Sequence, residues 1–371
     1  MMTCESRHIT VLFLADTHLG FDLPEHPRVD RPRRGDDFFA NFARALAPAM
    51  AGRVDLVLHG GDLFYRSRVS TGLVKRVLEP IRAVTAQGIP FVFLPGNHER
   101  SAAPFPLLWD VPGLYVFARP ETLRFDLAGL RLALAGFPHV RTDLAHGWEK
   151  RLAAMGVHDK PADVRVLCLH QTVEGAAVGK PRGGTYVFRR GRDVIVGRSL
   201  PRGYAAVLSG HIHRHQFLQR DLAGRPLTAP VIYPGATTAT SFAEWQERKG
   251  FLLLELAPTA DGTGRLAGHQ FVQVPSRPMV RHELEIERLA HETSASRRAK
   301  GEVSSDLRNA IVAEIRGVLA ETPHDAIVRF VVRGGDGRIP GQLPSAAEIR
   351  AFAGPRRIVE LRVPTARRPG M

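Results

Sequence analysis

Apolar and polar positions follow two regimes along this chain. Short, nearly uninterrupted apolar runs at Ile9–Ala15, Val54–Leu58, Pro90–Leu94, Leu130–Ala135, Val164–Leu169, Ala205–Leu208 and Val231–Tyr233 read as strands, several buried on both faces. Amphipathic stretches lie between them. Asp36–Met50 reads as a helix, with Asp36 and Asp37 suited to its first turn and Phe38, Phe39, Phe42 and Leu46 on one side. Leu73–Gln87 reads as a second helix, ended by Gly88 and kinked at Pro80. Strands alternating with helices predict an α/β layered core, and Gly250–Leu256 reads as the strand that closes it.

The texture changes at Val274-Pro275-Ser276-Arg277-Pro278, which reads as a linker. It divides a domain of residues 1–274 from a small α+β unit of residues 275–371. That unit has a strand-like Val280–Ile286, a polar stretch with Arg297, Arg298 and Lys300, and a helix from Asp306 to Leu319. A strand Ile327–Val332, a Gly-Gly-Asp-Gly turn at 334–337 and a strand Ile358–Val363 follow, with no catalytic motif among them.

Composition narrows the class. A chain of 371 residues suits one large domain and a smaller one, and 44% hydrophobic residues supply ample core. No run of about 18 apolar residues appears, so no transmembrane helix is expected. The first apolar run ends at Asp16 and His18, where a signal peptide would show a small-residue cleavage site. Cys4 and Cys168 cannot build a disulfide framework, which fits a reducing compartment. A cytoplasmic enzyme is therefore expected. The net charge of +14 favours nucleic acid or anionic lipid as a partner, although a solvated arginine-rich surface carries the same charge.

Five separated segments share one feature: a strand-like run ends in metal-ligand residue types. They are Asp16-Thr17-His18, Gly61-Asp62, Gly96-Asn97-His98-Glu99, His170, and Gly210-His211-Ile212-His213. Residues two apart in an extended segment point the same way, so Asp16/His18 and His211/His213 can each present two donors to one site. Glycines at 61, 96 and 210 let the backbone turn sharply. Carboxylate, imidazole and amide oxygen suit Mn, Fe or Zn, and the lack of nearby thiolates argues against a structural zinc site. An isolated Asp-x-His is usually a surface turn. Five such pieces in order, each at a strand end where α/β sheets place ligand sites, make unrelated polar loops a poor explanation.

This pattern resembles the calcineurin-like metallophosphoesterase superfamily, whose signature is D-x-H, G-D, G-N-H-[D/E], a lone H and G-H-x-H. The flanks Ala15-Asp16-Thr17-His18-Leu19-Gly20, Gly61-Asp62-Leu63-Phe64 and Tyr233-Pro234-Gly235-Ala236-Thr237 are similar to those of SbcD-type DNA double-strand-break repair nuclease subunits. The resemblance spans about residues 9 to 256. It implies a four-layer α/β/β/α sandwich followed by a small C-terminal α+β capping-like domain. It also implies that Asp16, His18 and His213 hold one divalent ion, Asn97, His170 and His211 the other, and that Asp62 bridges them. Mn²⁺ is the leading expectation for the metal. His98 takes the place of the family's acid, which protonates the leaving oxygen.

Two departures bear on activity. Many nucleases of this type have a substrate-contacting His three residues after the bridging Asp, and Tyr65 stands there. The family docks on a coiled-coil, SMC-like ATPase through a C-terminal helix with an apolar face, and no such helix is evident. Tyr65, Arg100 and Arg214 are candidate substrate contacts, and Arg66, Arg68, Arg182, Arg189 and Arg190 flank or separate the motif loops. His59 reads as buried packing, and His139 and His215 can approach the site from neighbouring loops. The leading expectation is a metal-dependent DNA exo- or endonuclease, dimeric, with DNA and an SMC-like ATPase as partners. The alternatives are a nucleotide or small-molecule phosphodiesterase or phosphatase, and a DNA-binding scaffold subunit with weak catalysis.

Overall fold

A computed structural model describes residues 7–99, 110–180, 184–300, 306–334 and 339–363. Strands β1 (Ile9–Leu14), β2 (Leu56–His59), β3 (Phe91–Phe93) and β4 (Leu114–Val116) are parallel neighbours in one six-stranded sheet. On the β1 side, β15 (Gly250–Ala257) and β16 (Arg265–Gln273) extend that sheet antiparallel. The second six-stranded sheet runs β5 (Glu121–Leu127), β6 (Leu130–Gly136), β7 (Val164–Leu169), β12 (Ala206–Ser209), β14 (Pro226–Tyr233), β13 (Gln216–Arg220). Its inner four strands are parallel and its two edges antiparallel. Between β7 and β12 the chain forms two small ladders. One pairs β8 (Thr172–Val173) with β11 (Val194–Ile195), the other β9 (Ala177–Gly179) with β10 (Thr185–Val187).

The two sheets pack face to face because their strands bury side chains on both sides. In β1, Val11 and Phe13 point between the sheets, where with Leu56 and Leu58 they meet Leu132, Leu134, Val166 and Leu208. Leu12 and Leu14 point outward onto α1 (Gly35–Met50) and α2 (Thr71–Thr85), against Phe38, Phe42, Val77 and Ile81. Outside the second sheet, Leu167 and Val207 are covered by α3 (Trp148–Met155) and by Ile195. The result is the four-layer α/β/β/α sandwich. Helix α2 starts two residues before its expected Leu73, because Ser70 caps it by accepting from the Leu73 N–H at 3.2 Å. It continues through Pro80 to Thr85.

Pro24–Arg33 and the chain from Arg277 onward form a second compact unit. Its strands β17 (Met279–Glu285), β18 (Ile327–Arg333) and β19 (Ile358–Arg362) are all parallel. Helices α4 (Ile286–Lys300), α5 (Asp306–Glu321) and α6 (Ala346–Ala353) make the crossovers that parallel strands require. The polar stretch near residue 297 therefore falls in a helix. Leu284, Val328, Phe330 and Val332 pack on Leu289, Ile311, Ile315 and Leu319. Two ion-pair sets, Glu283 with Arg281 and Arg333 and Glu360 with Arg329, link the same three strands through polar side chains. Beyond Gly334 the expected glycine turn lies outside the described residues.

Candidate metal centre

Every metal-ligand segment lies just past the carboxyl end of a parallel strand. Asp16 and His18 follow β1, Asp62 follows β2, and Asn97 follows β3, three neighbours in one sheet. His170 follows β7, and His211 and His213 follow β12, two neighbours in the other. The chain must turn at once to bring these side chains back over the strand ends. Asp16, His18, Asp62 and His211 accordingly take positive φ values of 52°, 45°, 53° and 83°, a region that non-glycine residues occupy only when their surroundings impose it. Gly61, with φ of 106°, leaves room for the imidazole behind it: a Cβ there would lie 2.2 Å from His170 Nδ1.

The donor atoms converge on two neighbouring points. Asp16, His18 and His213 form one cluster, with His18 Nε2 and His213 Nε2 facing each other at 3.0 Å. Asn97 Oδ1 lies 3.1 Å from His170 Nε2 and 2.8 Å from His211 Nδ1. Asp62 stands between these groups: it clusters with Asp16 and His170 and also with His18 and His98. Its Oδ1 is 3.5 Å from His170 Nε2, and its Oδ2 is 3.7 Å from His98 Nε2. Without an ion this spacing is that of an N–H···N hydrogen bond between the two imidazoles, and ligands of one ion with bonds of about 2.1 Å sit at the same spacing.

The electrostatics also fit bound cations. Burial pushes Asp16 up to about 6 despite the pull of His213. Burial, helped by the charge of Asp62, pushes Glu99 to about 8. Burial would raise Asp62 too, but the charge and hydrogen bond of His170 hold it well below the usual carboxylate range. His170 itself is held at about 9, because Asp62 more than offsets burial. His211 is driven down to about 3 by burial and by His170. A divalent ion here would take the place of the His170 proton and offset the clustered carboxylate charge, beside a His211 that is already neutral. His18 Nδ1 is buried without a hydrogen-bond partner. The donor set of imidazole, carboxylate and amide oxygen thus fits two divalent ions, and the buried Cys168 lies in the inter-sheet core.

Several supporting residues take roles that their spacing in the sequence does not assign. Glu99 accepts from the backbone N–H groups of Asp62 (3.1 Å), Phe64 (2.9 Å) and Gly96 (2.8 Å), tying the β2 and β3 loops together. Glu244 Oε1 approaches His213 Nδ1 at 3.2 Å, and its other oxygen meets the buried Lys249 Nζ at 2.6 Å. Lys249 also donates to the His213 carbonyl at 3.0 Å. His139 donates from Nδ1 to the His170 carbonyl at 2.7 Å and clusters with His170 and His211.

The remaining candidates separate clearly. His98 Nδ1 donates to the Tyr65 carbonyl, which leaves Nε2 directed toward Asp62. The Tyr65 ring stands edge-on to Phe21 at 4.8 Å and lies 5.8 Å from His98. Arg66 lies over that ring at 5.6 Å. Arg214 is half-buried and reaches Thr185 Oγ1 at 3.5 Å. Arg100 and Arg182 lie outside the described residues. His59 is buried against Thr17, as packing. His215 stacks on Phe271 at 4.3 Å and takes no part in the cluster, whereas His139 does.

Such a fold and site define a metal-dependent phosphoesterase. Residues 9–215 match the calcineurin-like phosphoesterase model, and the chain belongs to that family. Among curated proteins it is similar to DNA double-strand break repair protein Mre11 of Methanopyrus kandleri, with 26% identity over 70% of this chain and 56% of the relative. The Haloferax volcanii protein of that name is 26% identical over 88% of this chain and 65% of its own length. For the Saccharolobus solfataricus protein the figures are 25%, 59% and 54%. The chain thus spans little more than half to two thirds of these relatives. No helix among the described residues is long and apolar enough to cross a membrane.

Proposed function

We propose that this chain is a two-metal phosphodiesterase acting on DNA, a nuclease of the SbcD-like repair type. Asp16, His18 and His213 would hold one ion, Asn97, His170 and His211 the other, with Asp62 between them. The observation that carries this function is the position of Asp62, whose carboxylate reaches toward both donor groups. Two ions held by a shared carboxylate supply charge that acidifies water and neutralises phosphate oxygens. Mn²⁺ suits the mixed oxygen and nitrogen donors.

His98 would act as the acid for the leaving oxygen. With Nδ1–H committed to the Tyr65 carbonyl, the proton it delivers must sit on Nε2, the nitrogen on the Asp62 side. DNA as substrate is supported by the similarity to the repair proteins and by the net charge of +14. The residues after Pro275 are proposed as a capping-like domain, and a homodimer or an SMC-like ATPase as partners. Tyr65, in the place of a substrate-contacting His, supports a DNA-binding scaffold subunit with weak catalysis as an alternative, and within enzymes the second reading is a phosphodiesterase or phosphatase acting on nucleotides.

Metal analysis, DNA affinity and turnover test the proposal together. The protein should bind two equivalents of Mn²⁺, and Asp62→Ala should lose most of both. Duplex DNA affinity should fall steeply with salt, with a log–log slope of about −0.9 per phosphate neutralised. Linear DNA left uncut while nucleotides are hydrolysed quickly would move the assignment to the second reading. An intact two-ion site in Asp62→Ala would overturn the ligand assignment.

A further inference from the structure

Beside the metal centre the exposed side chains are aromatic as well as basic. The hairpin of β9 and β10 exposes every residue of Thr185–Val187, with Tyr186 at 50% exposure. Strand β9 packs tightly on the turn Phe242–Glu244: a Cβ on Gly179 would lie 2.2 Å from the Ala243 carbonyl oxygen. That turn leads directly into Trp245, which is 38% exposed. Among the described residues only one other large aromatic side chain, Tyr115, is comparably exposed, so two of three fall on this one assembly.

The assembly is fastened to the segment that carries His211 and His213. The Gln216 side chain accepts from the Ala177 N–H at 2.8 Å and donates to the carbonyls of Ala177 at 2.9 Å and Arg214 at 3.2 Å. Glu247 accepts from the Gly179 N–H at 3.2 Å and pairs with Lys249, which holds the His213 carbonyl. Glu244, just before Trp245, holds the His213 ring. Arg214 bridges to Thr185 on the exposed strand. Among the described residues from Lys180 to Asp193, Lys180, Arg189, Arg190 and Arg192 stand against the single acid Asp193.

An exposed aromatic face among cations, fixed next to a phosphodiester-cleaving centre, has the chemistry that takes a base by stacking and its phosphate by charge. A double helix keeps its base faces inside its own stack and cannot use such a surface. We propose that Tyr186 and Trp245 form a stacking platform for the unpaired bases of single-stranded nucleic acid, whose backbone passes Arg214 into the metal centre. This deepens the proposed nuclease function and rests on it.

The full-length protein should be titrated with oligothymidylate and with an abasic oligonucleotide of equal length and charge. The chain also carries Trp109 and the buried Trp148, so the signal is assigned by difference: quenching by oligothymidylate that is lost in Trp245→Phe would report stacking at Trp245. Tyr186→Ala should weaken oligothymidylate binding by roughly 5- to 150-fold, the worth of one stacked base, and leave abasic affinity unchanged. Tyr186→Trp should restore the affinity, which separates stacking from a folding defect. Equal affinity of the native protein for both oligonucleotides would overturn the platform, as would an unaltered Tyr186→Ala. Quenching on raising protein concentration alone would assign the surface to self-association instead. If the native protein cuts linear DNA and these variants change nothing, only the platform fails. If it neither binds nor cuts nucleic acid, the nuclease function fails with it.

Discussion

Glu244 Oε1 lies 3.2 Å from His213 Nδ1, so a carboxylate some thirty residues away in sequence orients an imidazole of the candidate metal centre. A histidine ligand whose second nitrogen is held by a carboxylate is fixed in tautomer and direction, and losing that partner costs about 10- to 100-fold in metal affinity. Glu244→Ala should therefore weaken one of the two ions by that factor and leave the other near its native affinity. Glu247 still pairs with Lys249 at 3.1 Å, so the fold should survive. Glu244→Gln, which keeps an acceptor, should lose less. Calorimetric metal titration distinguishes these outcomes, and two unchanged sites would limit Glu244 to a structural role.

Gly96 supports a sharper test of packing. A Cβ there would fall 2.3 Å from Asp62 Oδ1 and 2.8 Å from His170 Cε1. Neither side chain can retreat, since both are buried among the other candidate ligands. Gly96→Ala should cost about 1–3 kcal/mol by overpacking. It should also remove most bound metal, because Asp62 would have to move. Gly317, inside α5, is the contrasting case: a Cβ there meets nothing within 4 Å. Gly317→Ala should stabilise by roughly 0.5–1 kcal/mol through helix propensity. Denaturant unfolding and metal analysis of the two variants check both directions.

The candidate ligands could be picked out because each sits at the end of an apolar run, and β1, β2, β3, β7 and β12 do end just before them. Edge strands could not. In β16 polar and apolar residues mix along a largely uncovered strand, so no buried run marks it, and β5 shares that exposure. Helix α4 carries too few apolar residues to announce a buried face. Glu99 was visible as the last letter of a motif, but nothing in its spacing says that its carboxylate collects three backbone N–H groups. Glu244 and Lys249 reach His213 only through the folded return of the chain after β14. Long-range contacts of that kind leave no local periodicity.

Away from the metal centre, one carboxylate gives a clean acid-stability prediction. Asp163 accepts from the Arg131 backbone N–H at 2.8 Å and from its guanidinium at 2.8 and 3.1 Å, joining the starts of β6 and β7. Those hydrogen bonds lower its folded-state pKa to about 2, below the ordinary value of 3.8. A depressed carboxylate contributes stability that is present above the unfolded pKa and lost as pH falls through the folded one. The stability difference between native protein and Asp163→Asn should be flat above about pH 5 and close toward pH 2. Its size should be modest, because the pair is partly solvated. A difference independent of pH would mean that the carboxylate charge contributes nothing.

His98 allows chemistry to be separated from binding. Its Nδ1 is committed to the Tyr65 carbonyl and its Nε2 points toward Asp62, while its backbone N–H, which an alanine keeps, donates to Asp62 Oδ1 at 2.9 Å. His98→Ala should keep two bound ions and native DNA affinity while turnover of a plain phosphodiester falls by about 10²–10⁴, the range for losing a general acid. The choice of substrate decides the experiment. A p-nitrophenolate leaving group departs readily without a proton, so bis-p-nitrophenyl phosphate should show a much smaller defect than linear DNA. An alkoxide leaving group needs the acid, and the full loss should appear there. Equal defects on both substrates would indicate that the substitution disturbs the metal centre through Asp62, and metal analysis of the variant would then show the loss directly. Undiminished cleavage of DNA would remove His98 from proton transfer altogether.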